Sequence, residues 1–170
     1  IVNKIVDLAL VEGDGTNGFK SIDKEADVKK IKKITTKAKS AGTTPFANGI
    51  EEAVDFVRTT AGRRYLILKA EDRKALLDEL RQATAKAHVR IKNDDTEIAS
   101  EVGVDEIIVY TGSKALKPTV LVDQKYHIDM QDLTKVDAFE WKTNSNMILV
   151  ETLTSGHVET YNAGAVITVS

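Results

Sequence analysis

The 170-residue chain contains no cysteine, which excludes disulfides, zinc-thiolate centres and thiol nucleophiles together. Aromatic residues make up 5% of it, with a single Trp, and there are two prolines. Neither sign of charge dominates. The 24 Lys plus Arg stand against 26 Asp plus Glu, a net charge of -2, so no general field draws nucleic acid or an anionic membrane to it. No apolar run approaches the roughly 18 residues that span a bilayer. What remains is a chain with 42% hydrophobic residues, long enough for one domain, or one domain with a smaller lobe, and able to bury a real core.

The clearest pattern runs from Ala47 to Gln82 and reads helix, strand, helix. Ile50, Ala53, Val54, Val57 and Ala61 recur at three- and four-residue steps, which makes one apolar stripe opposite Glu51, Glu52, Asp55 and Arg58. Gly62 is expected to end this helix in a left-handed conformation. Tyr65 to Leu68 is short and continuously apolar between breakers, the pattern of a strand buried on both faces. Leu76, Leu77 and Leu80 then form a second helical stripe. Glu71 and Asp72 open that helix, where its dipole favours anions.

Before this stretch, Val2, Ile5, Val6 and Ala9 mark a buried helix over residues 1 to 12, stopped by Gly13. Because the chain starts at Ile1 inside that helix, it is expected to be a piece of a longer protein. Gly13 to Gly18 spells G-x-G-x-x-G, but a dinucleotide fingerprint works only between a strand and a helix N-terminus. Here it follows a helix and precedes none, so a helix-terminating turn is the reading. Asp14 lacks the spaced acidic partners of a calcium loop. Ser21 to Gly42 is lysine-rich (Lys29, Lys30, Lys32, Lys33, Lys37, Lys39) and balanced by Asp23, Glu25 and Asp27. Without interleaved aromatics or arginines it reads as a solvated loop or short helix face rather than a phosphate-binding strip.

After Gln82, residues 83 to 87 continue or fray the second helix and His88 to Lys92 alternates. Asn93 to Glu97 is a turn with three carboxylates, and Ile98 to Val102 a short turn of helix. Glu106 to Tyr110 and Thr119 to Asp123 read as strands. From Tyr126 the chain becomes β-rich: Ile128 and Met130, Thr134 to Trp141, Met147 to Leu153, His157 to Tyr161 and Ala165 to Val169. Turns are expected at Asn144 to Asn146, Ser155-Gly156 and Asn162 to Gly164. Trp141 and Phe139 suit core or interface anchors. His88 has no partner at ligand spacing, and His127 and His157, thirty residues apart, belong to no triad pattern. The residues therefore supply no catalytic, cofactor-binding or metal site.

The order of parts carries more information than any one residue. A helix ending in Gly13-Asp14-Gly15-Thr16, the segment YLILKAEDRKALLDEL, and the closing MILVETLTSGHVETYNAGAVITVS together resemble the major capsid proteins of tailed bacteriophages, the Hong Kong 97-like shell fold. The resemblance implies an α+β subunit with peripheral and axial lobes. Residues 1-85 would hold the end of the spine helix and the helix-strand-helix at the junction, 86-125 part of the axial lobe, and 126-170 a β-rich return to the peripheral lobe. It implies a structural protein that self-assembles, through pentamers and hexamers, into the icosahedral shell enclosing a phage genome. Its location would be the virion, and the host cytoplasm during assembly. Scaffold and portal proteins would be further partners, with packaged DNA touched only non-specifically, no membrane contact, no enzyme activity and no cofactor. The N-terminal arm and extended hairpin of that family are missing from these residues. Some members crosslink through a hairpin Lys and a late Asn. Asn146 lies in a comparable place, but the Lys is absent and Leu153 stands where the assisting Glu belongs, so no crosslink is expected. Alternatives are an encapsulin-type compartment shell of the same fold, or a small nucleotide-binding α/β enzyme served by Gly13 to Gly18.

Overall fold

The computed structural model describes residues 6–16, 18–36, 45–84, 90–130 and 154–169. A helical turn in π register, Leu8–Glu12, is followed by strand β1 (Ile31–Thr36), helix α1 (Pro45–Phe56), β2 (Arg64–Leu68), α2 (Ala70–Thr84), α3 (Asp95–Val102), β3 (Glu106–Val109), β4 (Thr119–Val122), β5 (Tyr126–Met130), β6 (Thr154–Val158) and β7 (Gly164–Val169). Five strands form one mixed sheet in the order β1-β7-β4-β2-β3, and β5 pairs with β6 in a separate ribbon. Within the sheet β1 runs parallel to β7 and β2 parallel to β3, while β4 is antiparallel to both β2 and β7. The fold is α+β, and its mixed sheet gathers strands from residue 31 to residue 169.

The period of two in β2 explains the layers. Leu66 and Leu68 point into a core with Ile50 and Ala53 of the first helix, Val57 just past its end, and Leu76, Leu77 and Leu80 of the second. Ile67 and Tyr65 point the other way, into a smaller core with Leu10, Ile22, Tyr110, Leu116 and Val158. The strand is thus buried on both faces, as its unbroken apolar run predicts. Helices cover one face of the sheet. The N-terminal segment and the β5-β6 ribbon cover the other.

The helix-strand-helix reading of Ala47 to Gln82 holds, including Glu71 and Asp72 in the first turn of α2. Its first boundary moves. Helix α1 ends at Phe56 and passes into turns, so Ala61 is exposed and outside the stripe. Gly62 has φ +131, and a Cβ there would stand 2.8 Å from Val122 Cγ1. It is a close-approach glycine and not the left-handed end of a helix.

Four other expectations are corrected. The lysine-rich segment is no simple loop or helix face, because Ile31–Thr36 pairs along its whole length with β7, a long-range partner that local sequence cannot reveal. The acidic turn at Asn93 to Glu97 is the start of α3. Asp94 is its N-cap and accepts from the Thr96 N–H at 2.8 Å, and left-handed Gly103 (φ 78) closes it. Ser155-Gly156 is strand, and β6 starts at Thr154 instead of His157. Gly156 serves packing, since a Cβ there would meet Tyr126 and Phe19 at 2.8 and 2.9 Å. Residues 90–92 form no strand. The runs Thr134 to Trp141 and Met147 to Leu153 lie outside the described residues.

Candidate functional site

The chemistry-bearing residues that sequence spacing left scattered are concentrated on the sheet face opposite the helices, around residues 7 to 33. The helical turn ends in a wide register in which the Gly13 N–H donates to Leu8 O at 2.9 Å. The last carbonyls of a helix have no partner of their own and must find one elsewhere. Here the returning chain supplies them. Ala9 O accepts from Ile22 N at 2.8 Å, Leu10 O from Asp23 N at 3.3 Å and Gly13 O from Ser21 N at 2.8 Å. Val11 O accepts from the Ser21 hydroxyl at 3.3 Å and Glu12 O from the Lys24 ammonium at 3.0 Å. Ser21 is wholly buried in doing so.

The G-x-G-x-x-G segment is the hairpin that makes this return possible. Asp14 bridges Lys20 in antiparallel fashion, and Gly15 and Gly18 take φ +88 and +82, the left-handed region that glycine enters without strain. The Asp14 carboxylate accepts from the Thr16 N–H at 2.8 Å, a turn-closing bond that also lowers its pKa. A Cβ at Gly13 would meet Leu8 O and Phe19 O, each at 2.6 Å. Among the described residues no helix opens at the glycines, which leaves no helix N-terminus beside them for a pyrophosphate. The helix-terminating turn is the reading the geometry bears out.

The lysines downstream are held by the fold itself. Lys20 reaches the buried carboxylate of Glu25 at 2.9 Å. Lys30 donates to Val158 O at 2.9 Å, and Lys33 to Ile22 O at 2.9 Å and Asp23 O at 2.6 Å. Lys32 pairs with Glu52 at 2.7 Å and lies 5.8 Å from the centre of the Phe56 ring. Burial pushes the Glu25 carboxyl upward, but the Asp27 N–H together with the bond and charge of Lys20 more than offset it, so its pKa is lowered. Burial lowers the pKa of Lys33 against the opposing pull of Asp23. These ammonium groups act as caps and cross-braces. Lys37 and Lys39 lie outside the described residues.

On the flank of this region the Tyr110 hydroxyl donates to the Asp7 carboxylate. Burial first, and then that carboxylate, raise the phenol to about 12, so it stays a donor at any working pH. Lys114 pairs with Glu12 at 2.5 Å beside it. A second cap joins the two helices of the central stretch, where Glu79 of α2 accepts from Phe46 N and Ala47 N at the start of α1, both at 3.2 Å. Sequence reasoning missed Ser21, Lys24, Glu25 and Glu79. A Ser and an acid shortly after a glycine turn are a capping signal, whereas a carboxylate 33 residues away from its donor has none.

His127 and His157, far apart in sequence, are register partners across β5 and β6, and the His157 ring lies 3.0 Å from a Glu159 carboxylate oxygen. Among the described residues no group of three or more His, Asp or Glu is arranged to hold a metal ion. His88, Phe139, Trp141, Asn146 and Leu153 lie outside the described residues. No described helix is long and apolar enough to cross a membrane.

No protein-family model matches the chain. Over all 170 residues it is 95% identical to a protein named Capsid protein from Lactococcus phage p2, and 95% identical to a Capsid protein from Lactococcus phage SK1. The chain spans 43% of the length of each of these relatives. The resemblance to phage capsid proteins drawn from the sequence is borne out.

Proposed function

We infer from the near-identity to two phage capsid proteins that the chain is part of a phage capsid subunit, a structural protein of the virion. That identity, 95% across the whole chain, is the observation that carries the reading. Its finer form is our proposal: a Hong Kong 97-like subunit that self-assembles through pentamers and hexamers into an icosahedral shell around the genome. Scaffold and portal proteins would be its partners during assembly. In this layout residues 1-85 would hold the end of the spine helix and the junction of the lobes, 86-125 part of the axial lobe and 126-170 the β-rich return to the peripheral lobe.

The site chemistry fits a subunit that works by holding its shape. Charged groups around residues 7 to 33 cap carbonyls and brace turns inside one chain, an arrangement suited to a rigid plate that meets its neighbours across many moderate contacts. Packaged DNA would meet this region only through non-specific charge, and no enzyme activity is assigned to it. Nothing in the comparisons favours an encapsulating compartment or a nucleotide-using enzyme.

The test is to express the parent-length protein and image it by negative-stain electron microscopy with and without its co-expressed scaffold. Closed shells, capsomer rings or sheets are expected. A monomer at high concentration under every condition would overturn the shell reading.

A further inference from the structure

The helical turn at Leu8–Glu12 has an unusual register. π turns are rare, and single ones are frequent where a helix does something besides span a distance. In an α register Gly13 N would donate to Ala9 O; here it donates to Leu8 O at 2.9 Å, and Ala9 O accepts from Ile22 N at 2.8 Å. The wide turn thus takes in one extra residue. In a helix one residue corresponds to about 100° of rotation about the axis.

That rotation decides where Asp7 stands. In the wide register its carboxylate accepts from the buried hydroxyl of Tyr110. A turn that tightened to α would carry Asp7 by about 100° around the axis and away from Tyr110. The bond and the α register therefore exclude each other. Tyr110 is itself wedged in place, because even a Cβ at Gly112 would collide with its ring and hydroxyl. Glu12, at the far end of the turn, is held by Lys114.

We propose that Leu8–Glu12 is a two-register element, kept in the wide register by the Tyr110 hydroxyl on Asp7, which sets the rotational phase of residues 6 and 7 relative to the sheet. It is a conformational device independent of the shell reading, resting only on this segment. Release of the Tyr110 bond lets the turn tighten and re-phases residues 6 and 7 without disturbing the core below Leu10.

The absence of cysteine makes the test direct. Spin labels on Val6→Cys and Glu101→Cys, both at exposed positions, report the phase of the turn against α3 by pulsed electron-electron distance measurement. The otherwise unchanged chain gives one narrow distance, with any second population at most about 10%. Tyr110→Phe, which removes the hydroxyl and keeps the ring, raises a second resolved distance to a comparable share. An unchanged distribution overturns the proposal. So does broadening about the same centre, since that is fraying and not a second register. If far-ultraviolet circular dichroism shows that Tyr110→Phe does not fold, Asp7→Ala, which removes the acceptor, is read by the same criteria.

Discussion

The contact between α1 and the sheet predicts the effect of Gly49→Ala, a change that two principles push in opposite directions. Gly49 is a buried helical residue, and replacing an interior helical glycine by alanine ordinarily stabilises by roughly 0.5–1 kcal/mol. In this helix the new Cβ would lie 2.8 Å from Ile167 Cγ2 and 3.1 Å from Thr36 Cγ2. Ile167 is fully buried in the middle of β7, and a β-branched side chain there has little rotamer freedom with which to yield. Overpacking of this kind costs typically about 1–3 kcal/mol. The clash therefore wins by about 1 kcal/mol or somewhat more, which for a chain of this size lowers the melting temperature by about 2–4 °C per kcal/mol. Thermal unfolding followed by circular dichroism reads it. The double change Gly49→Ala with Ile167→Leu, which removes the branch at Cβ, should recover most of the loss. A melting temperature that rises in Gly49→Ala alone would refute the reasoning and show that the helix has room to lift off the sheet.

Leu76 is fully buried between the helices and the sheet, so Leu76→Asp places an unpaired charge in the core and should abolish cooperative unfolding; unchanged melting would mean that the stripe is misplaced. Burial raises the Glu79 pKa despite the N–H groups of Phe46 and Ala47. Its contribution is thus fully present below the unfolded pKa and lost as pH rises through the folded value. Relative to Glu79→Gln, the parent chain should then be more stable at pH 4 than at pH 7, and melting curves showing the opposite trend would mean that the two N–H bonds dominate. Glu25 has a lowered pKa, so its contribution is present above the unfolded pKa and lost as pH falls. The stability difference between the parent chain and Glu25→Gln should shrink on acidification, and a constant difference would show that the Lys20 pair contributes nothing specific.

The parts of the fold that were legible from sequence are those set by local periodicity. The stripes of Ile50, Ala53 and Val57 and of Leu76, Leu77 and Leu80, together with the apolar run at Leu66 to Leu68, state their own burial because each element is amphipathic or wholly apolar over its length. The misses share a different cause. Strand β1 carries IKKITT, a pattern that only pairing with residues more than 130 positions later makes into a strand. Gly156 is a strand residue under an aromatic ring instead of a turn former, a distinction that depends on Tyr126 and Phe19 arriving from elsewhere. The caps around Leu8–Glu12 were illegible for the same reason. Most of their donors are ordinary backbone groups, joined by the Ser21 hydroxyl and the Lys24 ammonium, and their roles are assigned by the path of the chain; the lysines looked like a surface strip until their acceptors were in place.

The position of β7 bears on the order in which the molecule can be made. It follows every other strand in the chain and yet lies second in the sheet, between β1 and β4. Strands β2, β3 and β4 can pair as soon as residue 122 has left the ribosome, whereas β1, complete at residue 36, has no sheet partner until residues 164 to 169 appear. At synthesis rates of about 5–20 residues per second, β1 waits several seconds or more as an unpaired lysine-bearing strand. Its charges discourage pairing with other chains during that interval. The late strand then joins the two halves of the sheet, so a subunit interrupted before residue 164 leaves β1 without its partner and cannot be completed.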